Sequence, residues 1–242
     1  MTWQESVKNS GFAILAPILS PIEVTRIIDE LEKSSLHRRR AGIRHALKHP
    51  AVAELASDAR LLNLGKQILG EEAFPFHATL FDKSADANWL VMWHQDTALP
   101  IRERREAPGW GPWSVKEGVI YAHGPASALS KVLALRVHLD DSTGSNGPLR
   151  ALPETHNLGV IEAQSIHKFA EEIDSVECLV DQGGVLAMRP LLVHASSKST
   201  GTAPRRVLHI EYASSPTLPD GFELARWPIP PFPQPLNPPI LY

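Results

Sequence analysis

Residues 191–212 read LLVHASSKSTGTAPRRVLHIEY, and this stretch decides the fold that we predict for the chain. Two short apolar runs, 191–194 and 207–212, flank a segment rich in Ser, Thr, Gly and Pro, a pattern typical of two β-strands joined by a loop. Similar runs recur from residue 77 onward, at 78–81, 89–94, 119–121, 132–139 and 184–188. Many short strands between turn signals favour an antiparallel sandwich or barrel.

The first third of the chain has a different pattern. Residues 12–15 predict one short strand, and Ser20 then begins a helix that runs to Lys33, with Pro21 in its first turn and Glu23 completing a capping box. A second helical region covers residues 51–69, in one or two pieces, and Gly70 is suited to end it. The predicted fold class is therefore mainly β with flanking helices, a β-barrel with helices on one face.

Composition excludes several classes of protein. The chain has 242 residues, a net charge of −3, 43% hydrophobic residues and one cysteine, which fits a globular protein without disulfides or a cysteine-rich zinc module. The balanced charge argues against a nucleic-acid partner, and no apolar stretch is long enough to span a membrane. We expect a cytoplasmic protein with a single domain over residues 1–242, of which 216–242 form an extended, proline-rich C-terminal tail. The sequence leaves the oligomeric state open.

The motif Trp93-His94-Gln95-Asp96 is the sharpest local signal of chemistry. Residues two apart on a strand point to the same face, so His94 and Asp96 can bind one metal ion together. His194 ends another apolar run and supplies a second imidazole. Two His and one carboxylate are the ligands of non-haem Fe(II) oxygenases, and a zinc enzyme with the same three ligands is the alternative.

Two arginines begin the last predicted strand. Arg205 shares a face with polar residues and Arg206 shares a face with apolar ones, which we expect to pack on the helices. Arg205 should therefore point into the barrel, where a guanidinium could hold a carboxylate in a bidentate manner. The alternatives are that Arg206 has this role, or that both arginines are solvated.

These residues, together with the segment 146–156 (NGPLRALPETH), His194-Ala195-Ser196 and the opening 11–15, resemble the phytanoyl-CoA dioxygenase (PhyH-like) family over roughly residues 9 to 213. The resemblance implies a double-stranded β-helix, a cupin-like jelly-roll barrel, and the cofactors Fe(II), 2-oxoglutarate and O2. It implies that His94, Asp96 and His194 are the iron ligands and that Arg205 binds the far carboxylate of 2-oxoglutarate, assisted by Ser196. Because Asp96 is a carboxylate, hydroxylation is expected rather than halogenation.

Further candidates come from the same resemblance and from position in the chain. Lys83 resembles a strand lysine that contacts the cosubstrate, although it could also be an exposed hairpin end. Arg136 stands where several members have Trp, so it could contact either the cosubstrate or the substrate.

Segment 97–130 has few strand signals and could form a lid whose Trp110 and Trp113 stack on a substrate, or it could be a packed surface loop. His138 shares the Arg136 face and is either a pocket residue or a satisfied core histidine.

The basic cluster at 37–49 could attract an anionic substrate, but a solvated connection is the simpler interpretation. The predicted function is an Fe(II)- and 2-oxoglutarate-dependent dioxygenase, a hydroxylase that acts on a small molecule and releases succinate and CO2. The alternatives are a zinc-dependent, cupin-like hydrolase or isomerase, and a non-catalytic ligand-binding barrel.

Overall fold

The computed structural model describes residues 1–34, 42–84 and 87–226. Among these residues, no helix has the length and apolar content that crossing a bilayer requires. The described part of the chain forms six α-helices: α1 (Trp3–Asn9), α2 (Pro21–Lys33), α3 (Pro50–Ala56), α4 (Ala59–Leu69), α5 (Ala126–Leu129) and α6 (Ala163–Glu172). The basic residues 37–40 of the sequence cluster lie outside the described residues.

The strands are β1 (Phe12–Leu15), β2 (Phe74–Lys83), β3 (Val91–His94), β4 (Ala98–Ile101), β5 (Trp113–Lys116), β6 (Val119–His123), β7 (Val132–His138), β8 (Leu149–Ala151), β9 (Val176–Cys178), β10 (Val185–Met188), β11 (His194–Ser196) and β12 (Arg205–Ala213). They form a five-stranded sheet in the order β1-β10-β7-β12-β2 and a four-stranded sheet in the order β3-β11-β8-β9, both antiparallel. This is the predicted jelly roll, and β4, β6 and β5 add a third, smaller sheet.

The predicted helices are present, and the residues predicted to cap them do so. Ser20 and Glu23 form the capping box at the start of α2, and the second helical region is two helices, α3 and α4, with Gly70 as the C-cap of α4. Apolar side chains of these helices pack on the outer face of the large sheet, against Leu208, Ile210 and Tyr212 of β12. The opposite face of β12 therefore points into the barrel, as the alternation predicts.

The expectation of a strand-poor segment at 97–130 is wrong. This segment contains β4, β5, β6 and the short helix α5, and β5 and β6 form a hairpin whose two turn residues are Glu117 and Gly118. Both turn residues have positive φ, as a tight hairpin turn with the right-handed strand twist requires. The sequence pattern also missed α1, α6, β8 and β9.

The beginning of the predicted tail is folded. Residues 216–226 contain a short 3-10 turn and bury Leu218, Phe222 and Leu224 against the third sheet and α5. Trp110 packs on Phe222 with ring centroids 4.2 Å apart. Burying apolar rings explains why this stretch does not extend into solvent. Residues 227–242 of the predicted tail lie outside the described residues.

Candidate metal centre and its cavity

Three metal-binding side chains meet where β3 and β11 pair. His194 and His94 are direct cross-strand partners, and their ring centroids are 4.2 Å apart. The Asp96 carboxylate faces both imidazoles, with its two oxygens each 3.5 Å from one Nε2 atom. The three ligand atoms lie within 4.8 Å of one another, which is the spacing of donors that can share one ion. No other such cluster of His, Cys, Asp or Glu occurs in the part of the chain that the structure describes.

Backbone carbonyl groups orient both imidazoles. Nδ1 of His94 donates to the carbonyl of Met92 at 2.8 Å, and Nδ1 of His194 donates to the carbonyl of Leu192 at 2.9 Å. Because a carbonyl only accepts, each Nδ1 carries the proton, and a neutral ring then has its lone pair on Nε2. Both Nε2 atoms face Asp96, so the rings present ligand atoms to a common point.

The charges at this point also suit a cation. Burial lowers the pKa of His194 to about 3, so that ring is neutral at physiological pH. Although burial opposes it, the imidazole of His94 beside it lowers the pKa of Asp96, so the carboxylate stays ionised. In the metal-free protein the ionised Asp96 outweighs the burial penalty and raises the pKa of His94, and a metal ion bound here would take the place of the proton on Nε2. Two imidazoles and one carboxylate are a donor set that Fe(II) or Zn(II) accepts.

Next to the triad, the buried Arg205 lines a cavity of about 320 Å³, and Lys83, which does not line it, is hydrogen-bonded to the lining residue Ser196. Arg205 is 3% exposed, and it donates through Nε to the carbonyl of Asn146 at 3.3 Å and through Nη2 to Ser196 Oγ at 3.3 Å. Lys83 is 1% exposed and donates to Ser196 Oγ at 2.9 Å. The Nη1 atom of Arg205 is buried without a hydrogen-bond partner. No carboxylate among the described residues pairs with either cation.

The cavity wall here depends on a close backbone approach. Ser196 Oγ donates to the carbonyl of Gly147 at 2.8 Å, which leaves its lone pairs for Lys83 and Arg205. Gly147 has φ +68°, and a Cβ atom there would lie 2.4 Å from the carbonyl oxygen of Ser197. Only glycine fits this position without displacing the strand that carries Ser196.

Arg136 adds a third buried cation on the same inner surface. It lines the cavity, and its Nη1 donates to Nδ1 of His209 at 2.9 Å. Burial, together with Arg205 and Arg136, lowers the pKa of Lys83 to about 8. Like charges held close together in a buried place are unfavourable, so this inner surface favours the binding of an anion.

Arg206 points the other way. It forms a bidentate ion pair with Asp140, with N–O distances of 2.8 and 2.9 Å, and a further contact with Glu32 on α2. Arg206 thus links β12 to Asp140 and to α2 on the outside of the barrel. Of the two arginines, Arg205 is the one that faces the cavity.

Three of the sequence candidates for substrate contact do not line the cavity. Trp110 and Trp113 pack on Phe222, in the hydrophobic cluster beneath the third sheet, because their strands and loop turn them away from the triad. His138 is 1% exposed, and neither of its ring nitrogens has a partner among the described residues. It is therefore a buried histidine, but it is not the satisfied core histidine of the alternative interpretation.

The sequence analysis missed a second polar group in the cavity wall. His77, Tyr121 and Glu211 line it, and they are linked by hydrogen bonds of 2.7 Å between His77 Nδ1 and Glu211 and 3.0 Å between Tyr121 Oη and His77 Nε2. Tyr121 lies on β6, in the segment predicted to be poor in strands. His77 gives no signal on its own, since it precedes an apolar run. Glu211 was signalled by its place on the inner face of β12, and Tyr121 ends the predicted run 119–121 and is one of the aromatic residues that could contact a substrate, but nothing in the sequence joins the three residues.

Comparison with known proteins places these residues in context. The family model for phytanoyl-CoA dioxygenase (PhyH) matches residues 7–207. An ectoine dioxygenase of Bordetella bronchiseptica is 24% identical over 213 residues, covering 76% of this chain and 62% of the relative. An L-proline trans-4-hydroxylase of Streptomyces griseoviridis is 24% identical over 186 residues, covering 66% of this chain and 62% of the relative. The match thus spans about three fifths of the length of these curated relatives.

Solved structures share the fold. EctD from S. alaskensis in its apo form superposes with a TM-score of 0.67 at 21% identity, covering 92% of this chain and 80% of EctD. The same protein has been solved with bound Fe, and with 2-oxoglutarate and 5-hydroxyectoine. The jelly-roll architecture, the His94, Asp96 and His194 cluster, and a family match over most of the length agree: this chain belongs to the phytanoyl-CoA dioxygenase (PhyH) family.

Proposed function

We propose that this protein is an Fe(II)- and 2-oxoglutarate-dependent dioxygenase that hydroxylates a C–H bond of a small molecule. The observation that carries the proposal is that one cavity holds both a His-Asp-His cluster and two buried arginines, Arg205 and Arg136, that form no ion pair with a carboxylate of the described residues. A zinc hydrolase would account for the first feature but not for the second. The relatives that act on ectoine and proline support the reaction class and a small substrate.

The residues divide into holders of the metal and holders of the cosubstrate. His94, Asp96 and His194 would hold the iron through two Nε2 atoms and one carboxylate oxygen. Arg205 has a buried, unpartnered Nη1 atom and would bind the far carboxylate of 2-oxoglutarate, with Ser196 and Lys83 beside it. Arg136 would balance the remaining negative charge of this dianion.

Bound iron and 2-oxoglutarate supply the activation of O2, by which the keto acid becomes succinate and CO2 and one oxygen atom enters the substrate C–H bond. The protein's own part is to position and to exclude water. The carbonyl contacts of the two imidazoles fix the ligand geometry before the metal arrives, which lowers the reorganisation needed on binding. A substrate that fills the cavity beside the triad would displace water from the reacting groups.

Anaerobic addition of Fe(II) and 2-oxoglutarate to the metal-free protein tests the proposal. We expect a weak visible charge-transfer band in the wild type and no band in Asp96→Ala. In air, the loaded protein should form succinate slowly even without its substrate. A zinc enzyme or a non-catalytic ligand-binding barrel would give neither the band nor succinate. The absence of the band, or the absence of succinate, would therefore rule out the dioxygenase.

A further inference from the structure

A hydrogen-bonded chain of three side chains forms one end of the cavity. On the ladder between β12 and β2, Arg205 pairs with Lys83, whereas Glu211 pairs with His77 six residues further along. Six residues of strand correspond to about 20 Å, so the chain of Glu211, His77 and Tyr121 lies far from the proposed cosubstrate anchor. If the proposed function is correct, this end is left for the substrate.

The carboxylate of Glu211 is only partly satisfied. The side chain is 11% exposed, and one oxygen accepts from His77 Nδ1 at 2.7 Å. Its other oxygen has no hydrogen-bond partner among the described residues, and no Lys or Arg of that part of the chain lies within ion-pair distance. A carboxylate has room for about four hydrogen bonds, so this one lacks donors.

The chain is built to hold Glu211 in place. Tyr121 Oη lies 3.0 Å from His77 Nε2, and the His45 ring packs edge-on to the His77 ring with centroids 5.6 Å apart. Burial and the charge of Glu211 raise the pKa of Tyr121, so its hydroxyl stays protonated. His77 thus bridges a phenol and a carboxylate, and the carboxylate cannot turn away from the cavity without breaking this bond.

The nearby cation does not neutralise Glu211. Arg136 and Glu211 are diagonal neighbours across β7 and β12, because Arg136 pairs with His209, two residues before Glu211. Side chains so placed can reach each other. Arg136 instead donates to His209.

The other cations that line the cavity form no ion pair with Glu211 either. Arg44 pairs with Glu117, and Lys116 Nζ lies 4.8 Å from the centre of the Tyr121 ring. Arg205 donates to Asn146 and Ser196 at the far end of the cavity. Glu211 is thus a fixed anion without a cationic partner among the described residues.

We propose that Glu211 is a specificity-determining residue that binds a positively charged nitrogen of the substrate, with His77 and Tyr121 as its positioning residues. The substrate is thus an amine or guanidine rather than a plain carboxylic acid or an alcohol. This inference rests on the proposed function in one respect: the ligand is a substrate only if the protein is a dioxygenase. The preference for a cationic nitrogen follows from Glu211 and its neighbours alone.

Binding of matched probes tests the inference. The probes are four pairs that differ in the cationic nitrogen: propylammonium and 1-propanol, L-proline and cyclopentanecarboxylate, L-ornithine and L-5-hydroxynorvaline, and L-arginine and L-citrulline. Ligand-observed NMR measures their dissociation constants on protein loaded with Mn(II) and 2-oxoglutarate, where Mn(II) also broadens the signals of probes bound near the triad. The variants are Glu211→Gln, Tyr121→Phe and, as a control, Glu177→Gln, which removes an exposed carboxylate on β9.

We expect the cationic member of at least one pair to bind about tenfold or more tightly than its partner, since a hydrogen bond to a charged group is worth about this much. In Glu211→Gln the ratio should fall to about one; Tyr121→Phe should reduce it by about threefold, and Glu177→Gln should leave it unchanged. Equal binding within every pair, a ratio that survives Glu211→Gln, or no binding by any probe would overturn the inference.

The experiment separates this inference from the proposed function. If Mn(II) and 2-oxoglutarate fail to bind, which a titration of free Mn(II) by electron paramagnetic resonance shows directly, the dioxygenase proposal fails. Saturation-transfer NMR on the metal-free protein then still measures the preference for the cationic probes and its dependence on Glu211. If loading succeeds and the preference is absent, only the further inference fails.

Discussion

Each imidazole of the His-Asp-His cluster is held by the carbonyl two residues before it in sequence, Met92 for His94 and Leu192 for His194. His94 ends β3 and His194 begins β11, so each contact is made within three residues at the end of a strand. It decides which nitrogen can bind a metal, and it needs no distant residue. Asp96 is different, because it supplies the only negative charge of the cluster.

Replacing Asp96 by Asn therefore isolates the charge from the shape. We expect the affinity for Mn(II) to fall by more than about tenfold, since the ionised carboxylate offsets the cost of bringing a divalent cation into a partly buried site. Titration followed by electron paramagnetic resonance measures this loss. The exposed Asp181 offers a matched control, and Asp181→Asn should bind Mn(II) as the wild type does; an unchanged affinity in Asp96→Asn would remove Asp96 from the metal site.

Arg205 and Arg206 are adjacent in sequence but have opposite roles. Arg205→Lys keeps the charge but loses the planar fork that binds a carboxylate in a bidentate manner, so we expect 2-oxoglutarate to bind the Mn(II)-loaded protein about tenfold more weakly. Arg206→Lys should leave this affinity within about twofold, because Arg206 binds Asp140 outside the barrel. Calorimetric titration of both variants with 2-oxoglutarate checks the contrast, and equal losses would contradict it.

The sequence predicted the His-Asp-His cluster at the residue scale from two different signals. The two-residue spacing paired His94 with Asp96, and His194 followed from its place at the end of an apolar run and from the family resemblance. The same alternation placed Arg205 inside. It could not place Trp110 and Trp113, since an aromatic residue suits a hydrophobic cluster as well as a ligand pocket. It also missed the contact of His77 with Tyr121, which joins strands of two different sheets.

At the scale of elements, α3 is fastened to the large sheet by one buried hydrogen bond. Tyr212 Oη, on the outer face of β12, donates to the carbonyl of Ala56 at 2.7 Å. Tyr212→Phe keeps the ring and removes the donor, so the Ala56 carbonyl is left unpaired. We expect the free energy of unfolding to fall by about 1 kcal/mol, measured by urea denaturation.

The affinity of Tyr212→Phe for Mn(II) should be unchanged, because Tyr212 faces the helices and the triad lies inside the barrel. An unchanged denaturation midpoint would mean that water or another donor replaces the phenol. A lower metal affinity would mean that the docking of α3 is coupled to the geometry of the barrel interior.

Elements with local signals were predictable, and those that depend on tertiary pairing were not. The capping box of Ser20 and Glu23 lies wholly within four residues, and α2 begins there. The strands β8 and β9 alternate apolar and polar residues, but three residues are too few for this pattern to stand out in the sequence. They exist because they pair with β11 and with each other. In the hairpin of β5 and β6, the predicted run 119–121 belongs to β6, whereas β5 is too short for an alternation to stand out.

For the whole molecule, the main feature is that charge is distributed unevenly. The net charge is −3, yet Lys83, Arg136 and Arg205 are all buried in the barrel, and each is 7% exposed or less. The overall composition could not reveal this arrangement. It depends on the pairing of β2, β12 and β7, which places the three cations on one inner surface.

This concentration of positive charge predicts that binding of 2-oxoglutarate takes up a proton. Burial, with Arg205 and Arg136, lowers the pKa of Lys83 from 10.5 to about 8. Between these two pH values the unfolded chain holds more protons at Lys83 than the folded protein does, so the free energy of unfolding of the free protein rises as the pH increases. A bound dianion favours the ammonium form and should restore its pKa. At pH 9, calorimetric titration in two buffers of different ionisation enthalpy should show proton uptake in the wild type and in the control Lys131→Met, a partly exposed lysine just before β7, but not in Lys83→Met. Equal uptake in all three proteins would mean that another group carries the proton and that Lys83 lies outside the cosubstrate's electrostatic reach.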